Sequence, residues 1–504
     1  MLRFKKTLAL LAIMALMVSL VSCGKAKDGS ANMDGYYNSG NGAGMGMADY
    51  ESGESYTEIT ENKFVSTADK ASSYFSIDAN TASYPNLRSM IKNSYGISKD
   101  AVRIEEMLNY FDYDYENPDG EEILALSSSI FDNPYNPETK LLTIGLAAEE
   151  VEFSEVKNNL VFLIDVSGSM YSDDKLPLVQ QAFMLLAEGL NPEDRVSIVT
   201  YASGDSVALD GAYGYEKQKI MAVIEDLTAG GSTAGSKGIK TAYEIAKKYF
   251  IDGGNNRVIL ATDGDFNVGI RKTDDLADFI AEKRESGIYF SVYGFGRGNI
   301  QSDIMETLAL NGNGAYGYID SVKEARRALV TEIGGSIVTV AKDVKAGITF
   351  NPEIVESYRL IGYENKLLTE EEFENSETDA GELGSGHKVT VVYEIKLTEN
   401  GMVEGSSIAD VKVKYKTPDV GEDKESSYPI TEAAYHGTPT EQDLFIASVV
   451  EFGLILRDSE YKANANLNAL ITRLDNLDLD SDEFKSEFRE LVKAYRESSE
   501  KAIK

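Results

Sequence analysis

Three oxygen-bearing side chains fall within five residues in Asp165-Val166-Ser167-Gly168-Ser169. One is a carboxylate and two are hydroxyls, set at alternate positions. Hard oxygen donors of this kind suit Mg²⁺, Mn²⁺ or Ca²⁺ and not zinc or copper. The apolar run Val161-Phe-Leu-Ile164 leads into the aspartate, and a Gly-containing turn and a helical pattern follow. That order reads as a buried parallel strand entering a strand-to-helix loop. Asp165 then stands at the carboxyl edge of the strand, where open α/β sheets place their ligands.

Asp165-Val-Ser-Gly-Ser-Met170 resembles the DxSxS signature of von Willebrand factor type A domains, the core of their metal-ion-dependent adhesion site. The resemblance implies a threonine from a second loop and an aspartate after a later strand. Thr233, in Ala229-Gly-Gly-Ser-Thr-Ala-Gly235, and Asp263, in Ala261-Thr-Asp-Gly-Asp265, are the matching positions, with Ser232 one register from Thr233. A lone DxSxS can be no more than a helix cap, a common role for Asp and Ser at such turns. Three segments in the right order, each ending an apolar strand or lying in a Gly-rich loop, favour the metal site. In that family one coordination position is left for an acidic residue of a protein partner, and the aspartate matched by Asp263 often acts through water.

The elements that must carry these residues alternate strand and helix from about Leu160 to Val340. Expected strands are 160–165, 195–201, 207–209, 258–263, 289–295 and 317–319. Expected helices are 175–189, 217–227, 238–250, 273–286, 301–310 and 322–333. Such alternation with apolar strands predicts an α/β fold, a doubly wound parallel sheet covered on both faces. From about Val344 to Tyr415 the pattern turns to strands that alternate apolar and polar residues, as an antiparallel sheet with one wet face would. These strands and those at 124–131 and 140–147 are expected to form one β-sandwich around the inserted α/β domain.

The flanks resemble a bacterial family of type A domain lipoproteins. The resemblance rests on Tyr74–Tyr84, Asp100–Phe111, Arg359–Asn365 and Phe452–Arg457. Helices are expected at 83–95 and 99–111, with Glu105 and Glu106 on a wet face beside one apolar stripe. The C-terminal stripes Phe445, Val449, Phe452, Leu456 and Phe484, Phe488, Leu491, Tyr495 predict two more helices, the second capped by Asp480 or Ser481.

The chain begins with Arg3, Lys5 and Lys6 and an apolar stretch from Leu8 to Leu20, a signal-peptide pattern. Leu20-Val-Ser-Cys23 resembles a bacterial lipobox, which makes Cys23 the expected lipidated residue. It is the one cysteine in 504 residues, so no disulfide can form within the chain. Acyl chains would hold the protein on a membrane without spanning it. Residues 24–63, rich in Gly, Ser and Asn, read as a flexible tether. The expected organisation is signal peptide and lipobox 1–23, tether 24–63, N-terminal extension 64–158, type A domain 159–341, β-rich domain 342–420 and helical extension 421–504. The expected location is the extracytoplasmic face of a bacterial cell membrane.

A net charge of −34 repels nucleic acid and anionic lipid heads and makes both poor partners, so no nucleic acid is expected. Sequence patterns for zinc peptidases, nucleophile-elbow hydrolases and P-loops are missing. A phosphatase of the haloacid dehalogenase type needs a second aspartate two residues after the first as proton donor, and Ser167 stands there. Asp263-x-Asp265-x-Asn267 and Asp478-x-Asp480-x-Asp482 lack the glycine of an EF-hand loop, having Val268 and Glu483 at its position. His387, in a Gly-rich turn, reads as a hydrogen-bonded loop residue. The expectation is therefore a non-enzymatic, lipid-anchored module that uses Mg²⁺ (or Mn²⁺ or Ca²⁺) to bind an exposed Asp or Glu of a protein partner. The competing expectation is an envelope scaffold whose metal only stiffens a loop.

Overall fold

The structure is a computed structural model, which describes residues 54–120, 122–151, 156–232, 235–264, 273–331, 338–418 and 421–503. Cys23, the signal peptide and most of the tether lie outside these residues, as do Thr233 and Asp265.

Strand β1 (Ser72–Ser76) is followed by helices α1 (Ser83–Lys92) and α2 (Ile104–Asn109) and by the hairpin β2 (Leu124–Asp132) and β3 (Lys140–Ala148). The central domain then runs β4 (Asn158–Asp165), α3 (Leu176–Glu188), β5 (Arg195–Tyr201), β6 (Asp205–Tyr213), α4 (Lys217–Glu225), α5 (Gly235–Lys248), β7 (Asn255–Thr262), α6 (Thr273–Arg284), β8 (Ile288–Phe295), α7 (Ser302–Asn311), β9 (Tyr316–Ile319) and α8 (Val322–Arg326). Its sheet has the order β9-β8-β7-β4-β5-β6, with β6 antiparallel at the edge and the other pairs parallel. Alternate residues of β4 enter opposite cores. Leu160, Phe162 and Ile164 join Val179 and Phe183 of α3, while Val161 and Leu163 join Ile239 and Tyr243 of α5. A strand buried on both faces has to be apolar along its length, and that is why this run reads so plainly. Phe162 stacks on Phe183 with centroids 4.4 Å apart and docks α3 beneath the loop that follows β4.

After α8 the chain makes a π-helical turn over Arg327–Thr331, where one continuous helix was expected to residue 333. It then enters β10 (Thr339–Phe350), β11 (Val355–Ile361), β12 (Lys388–Leu397), β13 (Ser407–Lys416) and β14 (Asp423–Thr431), followed by α9 (Glu441–Arg457), α10 (Leu467–Asp475) and α11 (Glu483–Ile503). Strands from both sides of the central domain pair with one another. One antiparallel sheet runs Val65–Ser66, β11, β12, β3, β2, and the other runs Leu367–Leu368, β1, β10, β13, β14. The two sheets share one apolar core, in which Ile144 and Val391 meet Ile348 and Val411.

Several expectations are corrected. The β12 sheet has no wet face there, because α1, α2 and the C-terminal helices cover its outer side through Phe131, Leu141, Val392, Phe445 and Phe488. The sheet region continues past residue 420 to β14, a polar edge strand with one mostly exposed run and no apolar alternation to announce it. Helix α11 is capped by Asp482, which accepts from the backbone of Phe484 and Lys485, and not by Asp480 or Ser481. The last residues assigned to the tether are bound to the folded body. Ser55 makes two backbone hydrogen bonds across Ile300–Ser302, and Asn62 donates to the carbonyls of Leu360 and Gly362. The 99–111 segment is only a 3-10 turn at Lys99–Ala101 and then α2, and Glu105 and Glu106 are buried at 1 % exposure. The apolar stripe was legible, but the packing of α2 against β12 and α9 buries the charged face as well.

A buried ion network fastens these layers together. The Arg88 guanidinium of α1 reaches Glu324 of α8 at 2.8 Å and Glu487 of α11 at 3.0 Å, and Tyr110 donates to Glu324.

Candidate metal site

Asp165 ends β4 beside Tyr201 of β5 and next to the strand that delivers Asp263 one residue beyond β7. Both carboxylates are fully buried. The chain after Asp165 turns at once. The Ser167 backbone N–H donates to Asp165 Oδ1 at 2.8 Å, Gly168–Tyr171 form a 3-10 turn, and Met170 plugs the core beneath it. The turn brings Ser167 Oγ and Ser169 Oγ within 3.0 Å of each other. Ser167 is buried and Ser169 half-buried, so the pair reaches solvent through Ser169 alone.

The Gly-rich loop lies against this turn. Gly168 N–H donates to Gly231 O at 3.0 Å and Gly230 N–H donates to Val166 O at 2.8 Å. Gly231 has φ +83°, and a Cβ there would meet Ser203 Oγ at 2.6 Å, so the close approach requires glycine. Thr233 lies outside the described residues. Ser232, its alternative, donates its N–H to Ser203 Oγ at 3.0 Å.

Of the five expected metal residues, the structure brings Asp165, Ser167, Ser169 and Asp263 to one edge of the sheet. Burial pushes the Asp165 carboxyl up to about 6, and the charge of Asp263 adds to the shift. Asp263 also pays for burial, but Lys175 and Asn299 outweigh that and hold it below the usual carboxylate range. Lys175 Nζ donates to Asp263 Oδ2 at 2.7 Å and Asn299 Nδ2 to the same oxygen at 3.1 Å. Thr262 Oγ1 donates to Asp165 Oδ2 at 3.3 Å. The donor set is all oxygen, with few carboxylates and convergent hydroxyls, and fits a hard divalent cation.

Lys175, Asn299 and Thr262 were not singled out from the sequence. Lys175 read only as the first residue of an expected helix, and Asn299 carried no reading of its own. Glycine spacing was the available signal for the turn, since Gly296 and Gly298 both have positive φ.

A second acidic group lies elsewhere. Carboxylate oxygens of Asp78, Glu106 and Glu306 lie within 4.8 Å of one another. Lys366 Nζ sits among them, 2.9 Å from Glu306 and 3.2 Å from Asp78, and Arg103 reaches Glu306 at 3.1 Å. The cations that this cluster needs are thus already supplied by the chain. Glu105 beside it is pushed up to about 7 by burial and by Glu364. His387 is a loop residue as expected. Its Nδ1 accepts from Gly384 N–H at 3.2 Å, and burial, with the nearby Arg327 charge, lowers its pKa to about 4.

Residues 159–331 match the family described as von Willebrand factor type A domain, residues 50–143 that described as von Willebrand factor, and residues 335–497 that described as the C-terminal part of YfbK. YfbK of Escherichia coli (strain K12) is 37 % identical over 435 residues, covering 82 % of this chain and 75 % of that protein. The protein sll0103 of Synechocystis is 27 % identical over 206 residues, covering 40 % of this chain and 47 % of that one. Among solved structures, a von Willebrand factor type A protein from Catenulispora acidiphila is 17 % identical with a TM-score of 0.40, covering 68 % of this chain and 80 % of that one.

Proposed function

The chain belongs to the von Willebrand factor type A family together with YfbK, and from that premise we propose that it is a membrane-anchored, extracytoplasmic binding protein that holds a partner's carboxylate through a divalent cation. The observation that carries this reading is the pairing of Ser167 Oγ and Ser169 Oγ, 3.0 Å apart, at the strand edge shared by Asp165 and Asp263. Asp165, Ser167 and Ser169 would hold Mg²⁺ (or Mn²⁺ or Ca²⁺), with Thr233 and Asp263 as further members of the site. The bound ion supplies a positive charge that its few carboxylate ligands do not cancel. An incoming Asp or Glu then gains a charge-assisted bond that exists only with the metal.

The protein residues prepare that exchange. The Ser167 N–H orients Asp165, the Gly231 carbonyl fixes the turn, and the exposed Tyr171, at 82 % exposure, stands on the rim to contact the partner. No residue here is assigned a catalytic role, because the position two after Asp165 carries a hydroxyl and not a carboxylic acid. Anchoring is assigned to Cys23. Among the described residues no helix is long and apolar enough to cross a membrane.

The test is a pull-down from envelope extract with the intact chain and Asp165→Ala, each with Mg²⁺ and with chelator. Capture that requires both Mg²⁺ and Asp165 supports the reading. Metal binding without any metal-dependent capture would reduce the site to a structural ion. Turnover of small phosphate esters would overturn the non-enzymatic assignment.

A further inference from the structure

Lys175 has an unusual place for a cation. It sits at the start of α3, directly after the rim loop, and is only 7 % exposed. Its ammonium points into the site and donates to Asp263 Oδ2 at 2.7 Å, where Asn299 also donates. The surrounding backbone is shaped around its stem. Gly296 has φ +66°, and a Cβ there would lie 2.3 Å from Lys175 Cγ and 2.7 Å from Cε. Gly264, next to Asp263, has φ +95°, and a Cβ there would lie 2.5 Å from the Asn299 carbonyl oxygen. The loop carrying Gly296 and Asn299 is itself held by the N-terminal segment, through Glu54 to Arg297 and Ser55 to Ile300 and Ser302. Gly296 against the stem, Asp263 at the tip and a strap behind the Asn299 loop keep the ammonium in one position.

We propose that Lys175 is a positioning residue that sets the strength of cation binding: its ammonium keeps Asp263 paired within the protein and leaves the ion to Asp165 and the two serine hydroxyls. A buried ammonium neutralises the nearest carboxylate and repels an arriving cation, and both effects are large where water is scarce. The site therefore binds its ion weakly, and the ion keeps the positive charge that a partner's carboxylate would meet. A purely structural Lys175–Asp263 pair would lower stability when broken but would not tighten ion binding.

This inference rests on the reading of the Asp165 edge as a cation site, and the experiment separates the two. Mg²⁺ and Mn²⁺ are titrated by calorimetry into the full chain, Lys175→Met and Lys175→Gln, each with and without Asp165→Ala. Melting in chelator and in saturating Mn²⁺ is the second readout. Removal of the charge is expected to tighten Mn²⁺ binding by about tenfold or more, equivalent to about 1.4 kcal/mol, and to enlarge the melting shift caused by Mn²⁺. Asp165→Ala is expected to abolish binding in every background. Lys175→Gln keeps a hydrogen-bond donor for Asp263 and decides the matter where Lys175→Met does not fold. Unchanged or weaker binding in the neutral variants, with Asp165 still required, overturns the role of Lys175 alone. No binding by any variant up to about 10 mM, above the roughly millimolar constants of weak extracellular sites, or binding that survives Asp165→Ala, overturns the cation site as well.

Discussion

Two groups of carboxylates in this molecule have opposite designs. At the Asp165 edge, two buried acids lie with two hydroxyls and one lysine, and Ser169 is partly exposed. At the Asp78–Glu106–Glu306 cluster, the acids are denser, but Lys366 and Arg103 stand among them. Counting acids would choose the second as the metal centre. Counting what remains after internal ion pairing chooses the first. A cation site needs oxygens that the chain has oriented and has not already neutralised, whereas an ion network across a domain seam needs the reverse. Glu306 belongs to the central domain, Asp78 and Glu106 to the N-terminal extension and Lys366 to the sandwich, so that cluster bolts three parts together.

The comparison predicts different losses. The largest is at the bolt: Glu306→Ala, which leaves buried Lys366 with Asp78 alone and Arg103 with Glu105 and Glu106, is expected to cost about 3 kcal/mol in chemical denaturation and to leave Mn²⁺ affinity within about twofold. Asp165→Ala is expected to do the opposite, lowering Mn²⁺ affinity by about 100-fold or more while the metal-free protein melts no lower. Equal effects of the two variants on both readouts would erase the distinction.

The second cluster also predicts a pH dependence. Glu105 has a folded pKa near 7 against an ordinary value near 4.5, raised first by burial and then by Glu364. At Glu105 the folded state therefore keeps a proton that the unfolded chain releases, and the contribution of this residue to stability falls as pH rises from about 4.5 to 7. Glu105→Gln is expected to remove that contribution to the slope and to gain about 1–3 kcal/mol at pH 8 relative to the parent, measured by denaturation at both ends of the window. A Glu105→Gln variant whose stability follows the same pH profile as the parent would refute the account of Glu105. The smallest effect is expected at Ser169→Ala, where loss of one neutral donor weakens Mn²⁺ binding by about tenfold without moving the denaturation midpoint by more than about 0.5 kcal/mol.

The sequence was legible where one residue type had one job. Val161–Ile164 is apolar because both faces of β4 are buried, and the strand at Arg195–Tyr201 has the bounds its pattern predicts. Asp165, Ser167 and Ser169 are local, so their spacing carries the turn that unites them. What stayed hidden depends on partners distant in the chain. Glu105 and Glu106 look like a wet face until Arg103, Arg457 and Gly362 close around them. Lys175 looks like a helix start until Gly296 and Asp263 arrive from two other strands. Strand β14 was hidden inside the expected helical extension, because an edge strand with exposed faces needs no apolar alternation.

The most direct test is a crystal of the chain grown with Mn²⁺ and measured at the manganese absorption edge. One anomalous peak bounded by Asp165, Ser167 and Ser169, with Lys175 still paired to Asp263, is the predicted result. A peak among Asp78, Glu106 and Glu306, or none at the Asp165 edge, would contradict the account.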